Sequence, residues 1–357
     1  MKSLQRTSLS VLATASVAAL CVATLAASPA QATKPGSGSS TGSGSVFMVN
    51  PVQSSGNESL TDQKDSDAAV PGSAYATVQL RNLDGSGYLS GAWANVRTNT
   101  GPAAYSTSSQ FFFTRHDDRF EQVMAYFWVN QAQEYLQSLG FGSALRPVNR
   151  HPQDVRIDQY GIDNSYQTDK QDFLRFGKGG VDDAEDAEVI VHEYGHAVHA
   201  SQVPGFGTSL DAGSIGESWG DYLAVSVGLD AAAQYGWPVR AEAACPMDWD
   251  ATSYTAAPHC IRRFDLNLTL ADRRGEVHYD GQIWSQALWE IRTGYQAMGG
   301  LGTRAWDTTL VDSQFDYAAG TSFSAAAGAT YTKALARDGA AAGELVKARF
   351  AARGITF

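Results

Sequence analysis

An apolar run from Val189 to Val198 contains two histidines and a glutamate in the order His-Glu-x-x-His. His192 and His196 are four residues apart, so in a helix they lie on one face, where both imidazoles reach the same ion. Glu193 lies beside them and can hold a water molecule without binding the metal itself. The alternative for this motif alone is a solvated helix face, but its apolar flanks favour a packed helix. The pattern therefore indicates a zinc site.

A third protein ligand is needed, because catalytic zinc sites use three and leave the fourth position open. The next acidic cluster reads Gly-Glu-Ser-Trp-Gly-Asp and supplies Glu217, with twenty residues between it and His196. That interval is long enough to end one helix and bring a second alongside. Asp221, one helical turn after Glu217, is placed to accept the second ring N–H of a ligand histidine. We therefore expect one zinc per chain, held by His192, His196 and Glu217.

The residues around the motif separate the classes of zinc hydrolase. A metzincin would need Gly at 199 and His at 202, where this chain has His199 and Gln202, and the Gly-x-Met-Glu-Asn segment of aminopeptidases is absent. His-Glu-Tyr-Gly-His followed by Gly-Glu-x-Trp-x-Asp resembles the thermolysin-like gluzincins, and most closely the secreted fungalysin endopeptidases. The resemblance runs through most of the chain from Phe47. It implies an α+β, two-lobed zincin with an N-terminal mixed sheet, the active-site helix and a mainly helical C-terminal lobe.

The same resemblance implies residues that bind the substrate backbone. Asn164 and Ser165 occupy the positions of an Asn-Ala pair on an edge strand, where an extended peptide adds as a further strand. Arg262 lies in a segment similar to Ile-Arg-x-Tyr, whose arginine binds a substrate carbonyl. An Asx turn and an ordinary surface arginine are the alternative interpretations.

The resemblance also assigns a second catalytic residue. Gly275-Glu276-Val277-His278 is similar to the Gly-Gly-Val-His of thermolysin-like enzymes. His278 would then donate a hydrogen bond to the oxyanion that forms when water attacks the carbonyl. Asp272 is the expected partner that keeps this ring charged, although the family's aspartate lies one residue nearer, and Asp280 is the substitute. The alternative is a surface histidine in a charged loop.

Hydrophobic periodicity predicts the elements that position these residues. Apolar residues at helical spacing predict helices from Phe120 to Leu139 and through Ile283 to Ile291, and the segment 303–353 reads as Ala-rich helices. Segments 74–80 and 88–96 alternate apolar and polar residues around Asp-Gly-Ser-Gly, which predicts a hairpin.

The first residues have the features of a targeting segment. Lys2 and Arg6 precede an apolar stretch, and Ala30-Gln31-Ala32 fits cleavage beside small residues. We therefore expect a secreted protein. The expected organisation is a signal peptide over 1–32, a flexible Gly/Ser linker over 33–45, an N-terminal catalytic lobe over 46–205 and a C-terminal lobe over 206–357.

The net charge of the chain limits the kinds of molecule it is expected to bind. The formal charge is −11, and removal of residues 1–32 with Lys2 and Arg6 makes it −13. This charge argues against nucleic acid and against an anionic membrane surface. No later stretch is long and apolar enough to span a membrane.

Two cysteines, Cys245 and Cys260, remain after the targeting segment. In a secreted chain we expect a disulfide between them rather than two free thiols.

Five acids between Asp182 and Glu188 crowd the start of the motif helix. Acids there stabilise a helix N-terminus, and this explanation is sufficient. Thermolysin-like enzymes bind calcium with acids of this region, but the downstream partner acids do not align here, so Ca²⁺ is the weaker expectation.

Together these features predict a secreted, monomeric zinc metalloendopeptidase that acts on proteins or peptides. Zinc would polarise the scissile carbonyl. Glu193 would take the proton of the attacking water and deliver it to the leaving amine. The alternatives are a zincin-fold hydrolase acting on other bonds and a binding protein without catalysis.

Overall fold

The structure, a computed structural model, describes residues 40–97, 101–168, 171–239 and 243–357. The predicted signal peptide and the first seven residues of the predicted linker lie outside the described residues. Within them, no helix is long and apolar enough to cross a membrane.

The described residues contain seven strands, all in the first half of the chain: β1 (Ser40–Phe47), β2 (Tyr75–Leu83), β3 (Ala94–Arg97), β4 (Gln110–Phe111), β5 (Gln153–Arg156), β6 (Tyr166–Thr168) and β7 (Phe173–Arg175). They also contain eight α-helices, of which the first two lie among the strands and the other six after them: α1 (Pro51–Ser55), α2 (Arg119–Ser138), α3 (Ala187–Gln202), α4 (Leu210–Tyr235), α5 (Val277–Ala297), α6 (Thr303–Gln314), α7 (Phe323–Asp338) and α8 (Ala340–Ala352). The α+β class is confirmed, with the C-terminal part helical as expected. The predicted lobe boundary at 205 falls between α3 and α4 and remains a prediction.

The strands form two small mixed sheets. One has the order β2-β1-β4, with β1 and β2 antiparallel and β1 and β4 parallel. The other has the order β3-β5-β7-β6, and its edge strand β6 is antiparallel to β7. Among the described strands β6 has a neighbour on one side only, so it is an edge that an extended chain could join.

The predicted linker is wrong at its C-terminal end, because Ser40 to Ser45 belong to β1. Glycine here permits close packing rather than flexibility. A Cβ on Gly42 would lie 2.4 Å from the carbonyl oxygen of Ser109, and one on Gly44 would lie 2.8 Å from Val123 of α2. The Gly/Ser composition therefore suits a strand pressed against its neighbours.

The predicted hairpin is also wrong. β2 pairs with β1, while β3 starts the second sheet beside β5. Between the two predicted strands the described residues show one isolated antiparallel bridge, Leu83 to Gly91, with backbone hydrogen bonds from Asp84 to Ser90 and from Ala92 to Asn82. A Cβ on Gly91 would lie 1.9 Å from the carbonyl oxygen of Asn82, so the two segments meet too closely for ordinary strand residues. The alternating pattern marked two real strands but not their partners.

Helix α2 confirms the helix predicted over 120–139 and is buried over most of its length. It packs against β1 and α3, and the indole of Trp128 donates to the carbonyl oxygen of Phe47 at 3.3 Å. Helix α3 in turn packs along α4, and α4 along α5. The motif helix is thus held inside the hydrophobic core.

The acids before and within the first turn of α3 have protein partners. Arg115 binds Glu185 at 2.7 Å, and Asn50 donates to Asp186 at 3.1 Å. Asp186 caps the helix by accepting from the backbone N–H of Glu188, whose own carboxylate accepts from the backbone of Met247 at 2.6 Å. These contacts fix where α3 begins.

Candidate active site

The two motif histidines converge as their spacing predicts. His192 and His196 lie one turn apart on α3, and their Nε2 atoms are 3.1 Å from each other. The helix packs against α4, which leaves the His192 side chain buried and the His196 side chain about one quarter exposed. The helix therefore presents two imidazole nitrogens to one point.

Glu217, in the second turn of α4, brings a carboxylate to the same point. Its Oε2 lies 3.4 Å from Nε2 of His192, and its Oε1 lies 3.5 Å from Nε2 of His196. Ligands placed 2.0–2.1 Å from a tetrahedral zinc are about 3.3 Å apart. The spacing of the three side chains thus fits zinc.

Close contact between α3 and α4 makes this convergence possible, and two glycines permit it. A Cβ on Gly195 would lie 3.0 Å from the Cα of Gly220. A Cβ on Gly220 would lie 2.5 Å from Nδ1 of His192. Nearby, the indole of Trp219 donates to the carbonyl oxygen of Gly195 at 3.0 Å, which fixes the register of the two helices.

Asp221 orients one of the histidines. Its Oδ1 lies 2.8 Å from Nδ1 of His192, and the carboxylate also accepts from Nε of Arg262 at 2.6 Å and from Nη2 at 2.5 Å. A buried carboxylate that receives the Nδ1 proton directs Nε2 of His192 toward the metal position. Asp221 therefore has the geometry that its helical spacing predicts.

Glu193 lies beside the convergent side chains and is almost completely buried. Its Oε2 has no hydrogen-bond partner among the described residues. Burial raises the pKa of its carboxyl group to about 7, while the neighbouring charge of His192 opposes the rise. The group has the position and the free oxygen of a proton acceptor.

These residues line a cavity of about 710 Å³. Strand β6 forms one wall, and Asn164 and Ser165 lie just before it. Asn164 is exposed, whereas Ser165 is half-buried and donates to the carboxylate of Asp183. Arg262 also lines the cavity.

The sequence profile of the fungalysin metallopeptidases (M36) matches residues 94–341. This chain belongs to the fungalysin metallopeptidase family. Among its curated relatives, extracellular metalloproteinase mep of Aspergillus niger is 26% identical over 130 residues, which cover 31% of this chain and 18% of that protein. Extracellular metalloproteinase 4 of Trichophyton tonsurans is 30% identical over 126 residues, which cover 30% of this chain and 17% of that protein. The fungalysin chain thus matches less than a fifth of the length of these relatives.

A solved structure supports the fold. The precursor of protealysin, a metalloproteinase from Serratia proteamaculans, superposes with a TM-score of 0.53 at 17% identity, over 73% of this chain and 85% of that one. The fungalysin chain therefore has the predicted thermolysin-like fold.

His278 of the fungalysin chain lies in the first turn of α5 and lines the same cavity. Its Nε2 is 3.4 Å from Oε2 of Glu217, and about half of its side chain is exposed. The structure thus places His278 beside the three converging side chains, at the wall of the cavity.

The predicted partner of His278 is wrong. Asp272 is exposed and accepts from the backbone and hydroxyl of Thr269, and Asp280 is buried and accepts from the backbone of the loop before α5. Glu276 holds the ring instead, with Oε1 at 2.6 Å from Nδ1 of His278. As the N-cap of α5, Glu276 accepts from the backbone N–H of the residues that follow, which brings its carboxylate beside the imidazole. The N-cap position was the signal that could have identified it.

Cys245 and Cys260 form the predicted disulfide, with their Cα atoms 5.1 Å apart. The bridge closes the loop between α4 and α5, and Arg262 follows it by two residues. It therefore restrains the segment that carries this arginine into the cavity.

A group of three acids lines the cavity away from the convergent histidines. Asp163, Asp183 and Asp250 each place a carboxylate oxygen within 4.8 Å of the others. Burial raises the pKa of Asp183 to about 8 and that of Asp163 to about 6. Sequence reasoning did not identify this group, because its members are far apart in the chain.

Proposed function

We propose that this chain is a secreted zinc endopeptidase that holds one zinc ion with His192, His196 and Glu217. The observation that carries the proposal is the set of 3.1–3.5 Å separations between the three ligand atoms, beside a buried carboxylate. When bound, zinc supplies a Lewis acid that polarises the scissile carbonyl and acidifies a coordinated water.

Glu193 acts as the general base and acid of the reaction. Its free Oε2 accepts the proton of the attacking water, and the carboxyl group then gives that proton to the leaving amine. Asp221 keeps Nε2 of His192 unprotonated by accepting from Nδ1.

The substrate lies along β6 as an additional strand. This edge strand borders the cavity, and an extended backbone can pair with it whatever its side chains are. Asn164 and Ser165 hold the backbone at the start of β6, and Arg262 binds a substrate carbonyl from the far side. His278 donates to the oxyanion, and Glu276 orients its ring.

The relatives named extracellular metalloproteinases support protein or peptide substrates and secretion for this chain as well. The predicted signal peptide over 1–32 agrees with secretion. We propose a monomer with two lobes that meet near residue 205, and neither nucleic acid nor a membrane as partner.

The test is the Glu193→Gln variant of the secreted protein. It removes the proton acceptor and no metal ligand, so zinc content should stay at one per chain. Cleavage of an unbiased peptide library should slow by roughly two to four orders of magnitude, the scale of a general base. His192→Ala is the control that should lose both zinc and activity.

Near-normal turnover in Glu193→Gln would contradict the mechanism. A wild-type protein that binds zinc and cleaves no peptide would favour the two alternatives, a binding protein or a hydrolase of other bonds. Assays with ester and amide substrates would then separate those two.

A further inference from the structure

Three acids meet where α2 begins, outside the catalytic cavity. Asp118 is the N-cap of α2, Glu121 lies in its first turn, and Asp158 follows β5. One carboxylate oxygen from each lies within 4.8 Å of the others. None of the three lines the cavity that contains the zinc ligands. They form a separate cluster, which we call the α2 acid cluster.

Two members of the α2 acid cluster are buried without any partner. Glu121 is 1% exposed and Asp158 is 3% exposed, and all four of their carboxylate oxygens are buried with no hydrogen-bond donor among the described residues. Burying an ionised carboxylate without a donor or counter-charge is strongly unfavourable. The oxygens are therefore placed as if for a ligand that supplies positive charge.

A fourth acid crowds the cluster. Burial together with the charges of nearby acids, Asp158 among them, raises the pKa of Asp182 to about 8. Burial and the charges of Asp182 and Asp158 likewise raise the pKa of Glu121 well above its usual range. Lys178 is the cation that responds to these charges, but its side chain is exposed and forms no ion pair with them in the described structure. One surface lysine therefore faces several carboxylates, and it offsets only part of their charge.

We propose that Asp118, Glu121 and Asp158 bind one calcium ion, with Asp182 beside it. The available ligands are oxygens only, which suits a hard cation rather than zinc. Calcium is commonly held by several protein oxygens at once, whereas magnesium usually keeps several waters and is bound by only one or two carboxylates. Three converging carboxylates with a fourth acid beside them therefore favour calcium.

This site differs from the acids at the start of α3. Glu185, Asp186 and Glu188 already have partners in Arg115, in Asn50 and in the backbone of Met247. Glu121 and Asp158 lack such partners, so a bound ion would supply positive charge that the described residues do not provide to their oxygens.

The ion joins three parts of the chain. It connects the start of α2 with the loop after β5 and, through Asp182, with the turn four residues before the N-cap of α3. Calcium bound here stabilises the approach to the helix that carries His192 and His196. Its effect is on stability, and it touches no group of the catalytic cavity.

The test uses the full secreted protein, stripped of metals with EGTA and then reloaded with zinc. Addition of CaCl₂ should give one bound calcium per chain and raise Tm by roughly 5 °C at saturation. Glu121→Gln and Asp158→Asn should abolish both the binding and the rise. Asn tolerates the left-handed backbone at 158, where φ is 53°, so the second variant introduces no strain.

The calcium-free variants provide a further readout. Each removes one carboxylate from a crowded, uncompensated cluster, so its calcium-free Tm should equal or exceed that of the calcium-free wild type. If the carboxylate had only a structural role, the calcium-free variant would have a lower Tm than the calcium-free wild type. Asp163→Asn, in the acid group that lines the cavity, is the matched control and should keep both calcium and the rise.

Three results would overturn the proposal: no calcium bound by the zinc-loaded wild type, calcium retained in both variants, or calcium lost in Asp163→Asn alone. An equal rise in Tm with MgCl₂ would refute the choice of calcium.

Discussion

Substitution of Gly220 by alanine should weaken zinc binding without touching a ligand. The new Cβ would lie 2.5 Å from Nδ1 of His192, 2.8 Å from its Cε1 and 2.9 Å from its Cγ. Real Cβ atoms do not approach this closely, so the ring or the helix must move. Nδ1 is also the atom that donates to Asp221, and a shifted ring loses that hydrogen bond or its position beside His196.

Two opposing effects determine how much the Gly220→Ala substitution changes the stability of the protein. Overpacking a buried contact costs about 1–3 kcal/mol. Replacing glycine by alanine inside a helix stabilises the fold by about 0.5–1 kcal/mol. Gly216 on the same helix is the matched control, because a Cβ there meets nothing nearer than 3.8 Å. Gly216→Ala should therefore be neutral or slightly stabilising and should bind zinc normally.

The helix-propensity gain is the same with and without zinc, so only the overpacking against His192 changes the zinc affinity. Zinc affinity measured by competition with a chelator of known affinity should therefore fall by about fivefold to a hundredfold in Gly220→Ala, since 1.4 kcal/mol corresponds to a factor of ten. Thermal unfolding with and without zinc should show a smaller stabilisation by the metal. Equal affinity in Gly220→Ala and Gly216→Ala would refute the inference that α3–α4 contact sets the geometry of the ligands.

Two further predictions concern His278 and the disulfide. His278→Ala should leave zinc content and KM nearly unchanged while kcat falls by about a hundredfold, the scale of losing one oxyanion donor. An unchanged kcat would show that His278 is an ordinary surface residue. Cys245→Ser should lower the free energy of unfolding by about 3 kcal/mol, the chain-entropy value for the loop with its separation of 15 residues, as measured by denaturant titration. A Cys245→Ser variant as stable as the oxidised wild type would show that the bridge contributes nothing to stability.

Much of the candidate site could be predicted from the spacing of residues within single helices. Residues on one helix, such as His192 and His196 or Glu217 and Asp221, share a face because of helical geometry, and a sequence displays that directly. The partner of Nδ1 of His192 followed from the same rule. Glu276 was missed because the expected aspartate came from a family pattern rather than from the helix cap that holds the carboxylate next to His278.

Contacts between distant segments could not be predicted. The acid groups at α2 and in the cavity bring together residues from three parts of the chain, and no periodicity records such meetings. The same limit explains the wrong hairpin, since alternation predicts that a strand is half-buried but not which strand lies beside it. The prediction of a flexible linker was wrong at its C-terminal end for a related reason. Composition alone does not distinguish a free linker from a strand whose glycines permit close packing.

The contacts of Asp221 suggest that metal binding and substrate binding are coupled. Its carboxylate accepts from Nδ1 of His192 and from two nitrogens of Arg262, so one buried charge orients both side chains. Nη1 of Arg262 makes no hydrogen bond within the described structure and remains for a substrate carbonyl. Because the guanidinium is planar and rigid, anchoring Nε and Nη2 also fixes the direction of Nη1. A single aspartate therefore sets the angle of the proposed zinc ligand His192 and the angle at which a peptide would be held.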